Sequence, residues 1–198
     1  MSTPIVLACH WMCRLCWIHI LIVVMTILGL GLFGVSPALV VGCLLLRRYL
    51  NGHNRITISM VWTEYKKEFI RANKVGLLLI FVSFVFFFYY SYGINVEGQL
   101  FNVIGKICIG LSVFTLCFGY LVLVMMSVYD SKTVLASLQN GAILMRNYVV
   151  VGASILAFVA TYLVEKFIPI IGLFYGYVPA FFTTVGILWY TSAELKSN

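Results

Sequence analysis

Five apolar windows divide this 198-residue chain, and they limit its fold more than any other feature. They cover about 11–46, 75–93, 103–128, 148–165 and 167–191. A helix needs about 20 apolar residues to cross a bilayer, so each of the last four windows fits one span. The chain is 63% hydrophobic and 10% charged, a balance that a soluble core of this size cannot bury. The sequence therefore predicts one domain over 1–198, an all-α polytopic membrane helix bundle.

The first window is too long for one span and short for two. Its middle contains three glycines followed by Ser36 and Pro37, a pair typical of a helix start, with Ser as N-cap and Pro at the first helical position. We therefore predict two helices here, about 10–32 and 37–50. The bundle then has six transmembrane helices, the others covering 75–93, 103–128, 148–165 and 167–191. One long kinked helix in the first window would give five.

Positive charge predicts the orientation of the bundle. Seven basic residues fall between the first window and residue 75, which places this loop in the cytoplasm by the positive-inside rule. These residues are Arg47, Arg48, Arg55, Lys66, Lys67, Arg71 and Lys74. Alternation then puts both termini of the chain in the cytoplasm. Because the basic residues cluster between apolar segments, they indicate membrane topology and no nucleic-acid partner.

Two cytoplasmic segments have helical periodicity. In 57–74 the apolar residues recur at the spacing of an amphipathic helix, which we expect to lie on the bilayer surface or against a partner. They are Ile58, Val61, Trp62, Tyr65, Phe69 and Ile70. Glu64, Lys67, Glu68, Arg71 and Lys74 fall on the other face. A second amphipathic helix is predicted over 131–146, after possible cap residues at 130–133.

Residue types that carry chemistry are sparse. Cys9, Cys13 and Cys16 share a helical face with histidines nearby, but ligands on one straight helix do not converge on a tetrahedral metal. No nucleophile–base set and no glycine-rich phosphate loop is present. Glu165 and Lys166 are expected to form an exposed turn pair, and the GxxxG at 172–176 a packing surface. We therefore expect no enzyme activity, no metal, no cofactor and no direct nucleotide binding.

Three stretches resemble the YesL family of bacterial integral membrane proteins. Residues 34–52 are similar to that family's helix–break–helix ending in basic residues. Residues 61–73 resemble its aromatic and basic cytoplasmic helix, and residues 129–147 its second cytoplasmic helix. The resemblance extends over most of the chain in order and spacing. The Cys-rich N-terminal segment departs from the family pattern.

This resemblance implies a multi-pass protein of the bacterial plasma membrane associated with carbohydrate uptake. It implies an accessory subunit of an ABC-type importer, with the permease subunits as partners, the ATPase as a further candidate and the lipid bilayer around it. The partner-contact candidates are Trp62, Tyr65, Lys66, Phe69, Arg71, Leu138 and Asn140. Two alternatives stay open: a stand-alone small-solute transporter or channel, and a membrane-surface scaffold or regulator.

Overall fold

The structure, a computed structural model, describes residues 4–53, 55–96, 98–129 and 133–197, with the backbone alone for 4 and 191–197. Within these ranges the chain forms eight α-helices and no strand, which confirms the all-α fold class. They are α1 (Pro4–Leu28), α2 (Leu32–Leu50), α3 (Ile58–Asn95), α4 (Gln99–Met126), α5 (Val134–Met145), α6 (Tyr148–Phe167), α7 (Pro169–Tyr175) and α8 (Val178–Ser197). Five are long and apolar enough to cross a membrane, or six if α7 and α8 make one bent span.

The first window folds into two helices, as predicted, but the chain reverses at 29–31. Leu30 and Gly31 take left-handed φ angles of 60° and 73° there. The predicted helix start at Ser36 was wrong, because Pro37 lies in the second turn of α2, inside the helix. Since α1 and α2 pack side by side, the alternative of one long kinked helix is also wrong.

The predicted segments 57–74 and 75–93 are one continuous helix, α3, of 38 residues. Residues 58–75 contain neither Gly nor Pro, so nothing in the sequence interrupts the helix where its composition turns apolar. At 1.5 Å per residue α3 is about 57 Å long, well beyond the roughly 30 Å hydrocarbon core of a bilayer. The helix is therefore longer than one span needs, and its polar first half packs against α2 as a direct continuation of the apolar half.

Helices α3 and α4 form the most extensive helix pair of the bundle. The hydroxyl groups of Ser83 and Ser112 are 2.8 Å apart in the pair's buried interface. Further along, a Cβ added at Gly93 would lie 3.0 Å from the Gly105 Cα, so the two backbones approach closely. Small and hydroxyl residues thus do the packing that large apolar residues do in soluble cores.

The predicted single helix over 167–191 is wrong, because two helices occupy this window. Helices α7 and α8 differ in direction by 56°. Gly176 ends α7 with a φ of 47°, a left-handed conformation that glycine adopts without strain. Pro179 falls in the first turn of α8, where its missing N–H costs no helical hydrogen bond.

The segments predicted to be cytoplasmic gather at one end of the bundle. Trp189 near the end of α8 donates to the Asn51 side chain just after α2, at 2.7 Å. Arg71 of α3 donates to the last carbonyl of α4. Helix α5 begins behind the N-cap Thr133, whose side chain accepts from the Ala136 N–H, while 130–132 lie outside the described residues. These contacts bring the C-terminal ends of α2, α4 and α8 together, and the side of the membrane that they face stays a prediction.

Candidate functional site

The polar half of α3 is fixed to the α1–α2 hairpin by aromatic side chains. Tyr65 is 4% exposed, and its hydroxyl donates to the Met25 carbonyl oxygen at 2.9 Å. Phe69 packs edge-on against Tyr65, with ring centroids 5.6 Å apart. The structure therefore places Tyr65 in the interior. Its side chain braces α3 against the hairpin, whereas direct contact with a partner was predicted for it.

Glu68 contradicts the predicted polar face, because it is 3% exposed. Its Oε2 accepts from the Nε of Arg71 at 2.7 Å, and Nη2 of the same arginine donates to the Met126 carbonyl oxygen at 2.9 Å. Removing one partner of a buried ion pair costs about 3–5 kcal/mol, since the other charge stays buried. Arg71 thus joins α3 to the C-terminal end of α4.

The two arginines that end α2 make further links between helices. Arg47 donates to the Ser127 carbonyl oxygen at 2.5 Å, just beyond α4. Arg48 forms a 2.7 Å ion pair with Glu64 of α3 and also contacts the Met60 sulfur. Cations at helix C-terminal carbonyls are favourable because of the helix dipole. Basic residues that the sequence marks as topology signals therefore also hold this end together.

Trp62 and Lys66 are the predicted contact residues of α3 that the structure leaves on the surface. Trp62 is 42% exposed and stacks on Tyr65, with ring centroids 5.7 Å apart and planes 18° apart. The Lys66 Nζ lies 5.2 Å from the centroid of the Trp62 ring, a cation–π arrangement. We call these two side chains the α3 surface pair. It is an exposed aromatic and cationic unit on a braced helix.

The two candidates on α5 lie elsewhere. Leu138 is half-buried and packs on a cluster that includes Val40, Val75 and Val122 of the three neighbouring helices. Asn140 is half-buried as well. Leu138 therefore anchors α5 to the bundle, and the structure does not join it to the α3 surface pair.

A cleft that sequence reasoning missed separates α4 from α6. It has a volume of about 540 Å³ and is lined by apolar side chains such as Phe114, Ile155 and Phe158. Tyr120 and Ser154 also line it, and both bond to Thr184 of α8, at 2.7 and 2.9 Å. The sequence carries little signal of this cluster, because single hydroxyl residues are common in apolar helices.

Glu165 is not the exposed turn residue that was predicted. Its Oε1 is buried and has no hydrogen-bond partner among the described residues. A Cβ added at Gly172 would lie 3.3 Å from the Glu165 Cγ, and one added at Gly176 would lie 2.8 Å from the His19 Nδ1. The GxxxG thus packs against two ionisable side chains of α6 and α1.

The N-terminal cysteines lie on the surface of α1. Cys9 and Cys13 are exposed and Cys16 is half-buried. In the part of the chain that the structure describes, no group of three or more His, Cys, Asp or Glu side chains is placed to hold a metal ion.

Comparison with known proteins finds partial similarities, each of which covers less than half of the chain. The family described as "Protein of unknown function, DUF624" matches residues 15–90. "Uncharacterized protein YteU" of Bacillus subtilis (strain 168) is 31% identical over 80 residues, which are 40% of this chain and 36% of that protein. "Uncharacterized protein YesV" of the same organism is 34% identical over 70 residues, 35% of this chain and 34% of that protein.

The chain therefore spans about a third of the length of the curated relatives that it matches. No solved structure matches it. The DUF624 match covers residues 15–90, so the third stretch at 129–147 lies outside it, and the resemblance to the YesL family stays a prediction. The matched region runs from within α1 through α2 into α3 and contains the α3 surface pair.

Proposed function

We propose that this multi-pass membrane protein is a non-catalytic accessory subunit of a bacterial ABC-type carbohydrate importer in the plasma membrane. The observation that carries the proposal is the α3 surface pair on a braced helix. Tyr65, Phe69 and Arg71 hold the polar half of α3 in place, while Trp62 and Lys66 stay outside. The importer and its sugar substrate come from the resemblance to the YesL family.

A braced helix favours docking because little conformational entropy is lost when a partner binds. Trp is enriched among the residues that dominate binding energy at protein interfaces. A cation beside its ring restricts the complementary partner surface to one with acidic or carbonyl groups. An importer subunit that faces the cytoplasm can supply such groups, whereas lipid tails cannot.

The α4–α6 cleft supports a second contact inside the membrane. Along α6 most large side chains are exposed, among them Leu156, Val159 and Leu163. A transmembrane helix of the permease could pack there without displacing any helix of this chain. A membrane-surface scaffold would need the cytoplasmic contact alone, so the cleft favours the accessory subunit over that alternative.

The test is purification of the tagged full-length protein from its native cells in mild detergent, with mass spectrometry of co-eluting proteins. We expect permease and ATPase subunits in fixed ratio with the wild-type chain. Trp62→Ala should lower their recovery about 30-fold, as expected for a hot spot worth about 2 kcal/mol. Trp17→Ala, at an exposed tryptophan of α1, is the matched control and should leave recovery unchanged.

Charge reversal separates docking from folding. Lys66→Glu should reduce recovery of the partner subunits, whereas Lys106→Glu, at an exposed lysine of α4, should not. Arg71 is unsuitable for this test because it bonds to Glu68 and Met126. A protein that elutes alone from cells containing the importer would refute the accessory role. Equal recovery with Trp62→Ala and Trp17→Ala would refute the docking assignment.

A stand-alone transporter is the second candidate, and polar groups between the helices favour it. Tyr120, Ser154 and Thr184 bring three hydroxyl groups together beside the cleft. Glu165 and His19 lie against α7, next to the bend between α7 and α8. Transporters often place ionisable groups at such broken helices. Solute uptake into liposomes by the purified protein, lost on Thr184→Val, would favour this function over the accessory role.

A further inference from the structure

The turn between α1 and α2 lies beside the charged half of α3, the part before Val75 that holds all of its charged residues. A Cβ added at Gly29, in this turn, would overlap with the Tyr65 hydroxyl. Phe33, just after the turn, lines a cavity together with side chains of α3 between 69 and 77. The N-terminal end of α2 is therefore at the level of the charged half.

The C-terminal end of α2 is at the same level. Arg48 forms its ion pair with Glu64 of α3. Arg47 donates to the chain just beyond α4, next to the carbonyl group that accepts from Arg71 of α3. Both ends of α2 thus meet overlapping parts of α3.

This overlap shows how the α1–α2 hairpin is oriented. Helix α2 has 19 residues and is about 28 Å long. If it ran along α3, its two ends would contact parts of α3 about 19 residues apart. Because the contacts of both ends overlap, α2 lies across α3. Helix α1 packs side by side with α2, so the whole hairpin lies across α3.

The charges of α3 decide which of the two crosses the bilayer. If the hairpin crossed it, the charged half of α3 would lie in hydrocarbon, where a single lysine at the bilayer centre costs about 2.5–3.5 kcal/mol. The uncharged residues 75–95 would then leave the membrane, with Phe81, Phe84 and Phe88 each more than 60% exposed. Water disfavours so large an apolar surface. The bilayer therefore surrounds 75–95, and the hairpin lies at its boundary.

The outer face of α1 indicates what covers the hairpin there. Every exposed side chain of α1 from residue 17 to 28 is apolar. The polar groups of an ordinary surface helix are missing from this face, so acyl chains suit it better than water does. These side chains are Trp17, Ile20, Val23, Val24, Ile27 and Leu28.

We propose that α1 and α2 form an interfacial hairpin, which is embedded in one leaflet and does not cross the bilayer. The outer face of α1 contacts acyl chains near the headgroups, and the turn at 29–31 stays on the same side as residues 55–57. Helices α3, α4 and α6 and the bent α7–α8 pair then cross the bilayer. The positive-inside rule assigns the hairpin to the cytoplasmic leaflet. None of this depends on the importer as partner.

The test is a depth measurement on the full-length protein in liposomes. Spin labels are attached to single cysteines after the six native cysteines are replaced by alanine. Collisions with oxygen and with a water-soluble nickel chelate give the depth of each label. We expect nearly equal, shallow depths along α1, whereas a crossing α1 would change depth by about 15 Å between 17 and 27. Along α3 the depth should increase by about 9 Å between 78 and 84. The labelled sites, all exposed, are Trp17, Ile20 and Ile27 on α1 and Leu78, Phe81 and Phe84 on α3.

A depth that rises toward the bilayer centre along α1 overturns the proposal. Strong access of nickel with little access of oxygen would place this face in water and overturns it too. The side of the turn is tested with a membrane-impermeant maleimide on intact cells. Leu30→Cys should stay unlabelled, whereas Leu100→Cys, at the start of α4, should be labelled. Labelling of both sites would mean that the hairpin crosses the bilayer.

A pair of lysine variants tests the proposal without removing any cysteine. Phe84→Lys places a charge deep in the bilayer and should lower the equilibrium constant for folding in lipid bicelles about 100-fold. In Ile20→Lys the side chain can reach the headgroups, so we expect less than a roughly tenfold loss. Equal losses for the two variants would contradict the interfacial position of α1.

Discussion

Helices α2 and α6 have nearly the same length, 19 and 20 residues, and both are apolar. However, α2 lies in the interior of the bundle and α6 lies at its surface. Eleven residues of α2 are buried, whereas the buried residues of α6 are Val150 and Ser154. Both helices contain glycine. A Cβ added at Gly34 or Gly42 of α2 would overlap with or crowd α1, but one added at Gly152 of α6 would meet nothing within 4 Å.

This difference shows that apolar length identifies a membrane helix but not its place in a bundle. The place depends on what the small residues face, since small residues let two backbones approach closely and van der Waals packing helps drive helix association in lipid. Helix α2 uses its small residues inside the chain. In helix α6 the small residue Gly152 faces open space beside the α4–α6 cleft. The helix therefore offers a surface for another helix.

The largest expected effect is that of Gly34→Ala. The new methyl group would overlap with the Thr26 carbonyl oxygen and lie 2.7 Å from the Thr26 Cα. Both are backbone atoms, so the clash can be relieved only by moving one helix against the other. We expect the free energy of unfolding to fall by about 3 kcal/mol, the upper part of the range for overpacking. Gly152→Ala is the matched control and should be neutral or stabilising by up to about 1 kcal/mol.

Thermal or denaturant unfolding of the purified variants in one detergent measures both values. Equal losses for Gly34→Ala and Gly152→Ala would contradict the contrast between α2 and α6. A loss confined to Gly152→Ala would mean that α6 is packed within the chain and not on its surface.

A smaller effect is expected for Thr184→Val, which cuts the link from α8 to both α4 and α6. The Tyr120 hydroxyl would lose its acceptor at 2.7 Å, while Ser154 would keep its bond to the Val150 carbonyl oxygen. Hydrogen bonds between membrane helices are worth about 0.6 kcal/mol on average, so we expect a loss of about 1 kcal/mol. Thr161→Val is the control, since Thr161 bonds within its own helix to Ala157.

Unfolding measurements on these two threonine variants sharpen the comparison. If Thr184→Val costs no more than Thr161→Val, the hydroxyl cluster does not tie α6 to the rest of the bundle. Helix α6 would then be held by apolar contacts alone, such as those of Phe158 with the rings of Tyr120 and Phe181.

The sequence predicts the class of fold and most helices because apolar length and basic clusters are local signals. It fails where a helix begins or ends inside an apolar window. Ser36 and Pro37 have the chemistry of a helix start, but left-handed Leu30 and Gly31 provide the turn. Gly176 belongs to a predicted packing motif, but its left-handed φ of 47° also ends α7.

The candidate site is predicted in part for the same reason. Periodicity places Trp62 and Tyr65 on one apolar face, but it cannot tell which of them meets the hairpin. That depends on α1, whose Met25 carbonyl accepts the Tyr65 hydroxyl. Periodicity also places Glu68 on the polar face, but the side chain is buried and bonded to Arg71, which reaches the end of α4. Contacts between helices distant in sequence decide these positions.

The smallest effect on stability, and the sharpest test of the comparison, is expected for Ile155→Trp. Ile155 lines the α4–α6 cleft and is 55% exposed, so the larger ring should change the free energy of unfolding by less than about 0.5 kcal/mol. If a partner helix packs there, the ring overpacks that contact. Overpacking by about 1.4 kcal/mol lowers recovery of the partner subunits about tenfold. Ile20→Trp on exposed α1 is the control and should keep recovery at the wild-type level. Equal recovery for the two variants would mean that α6 faces lipid, and the accessory role would then rest on the α3 surface pair alone.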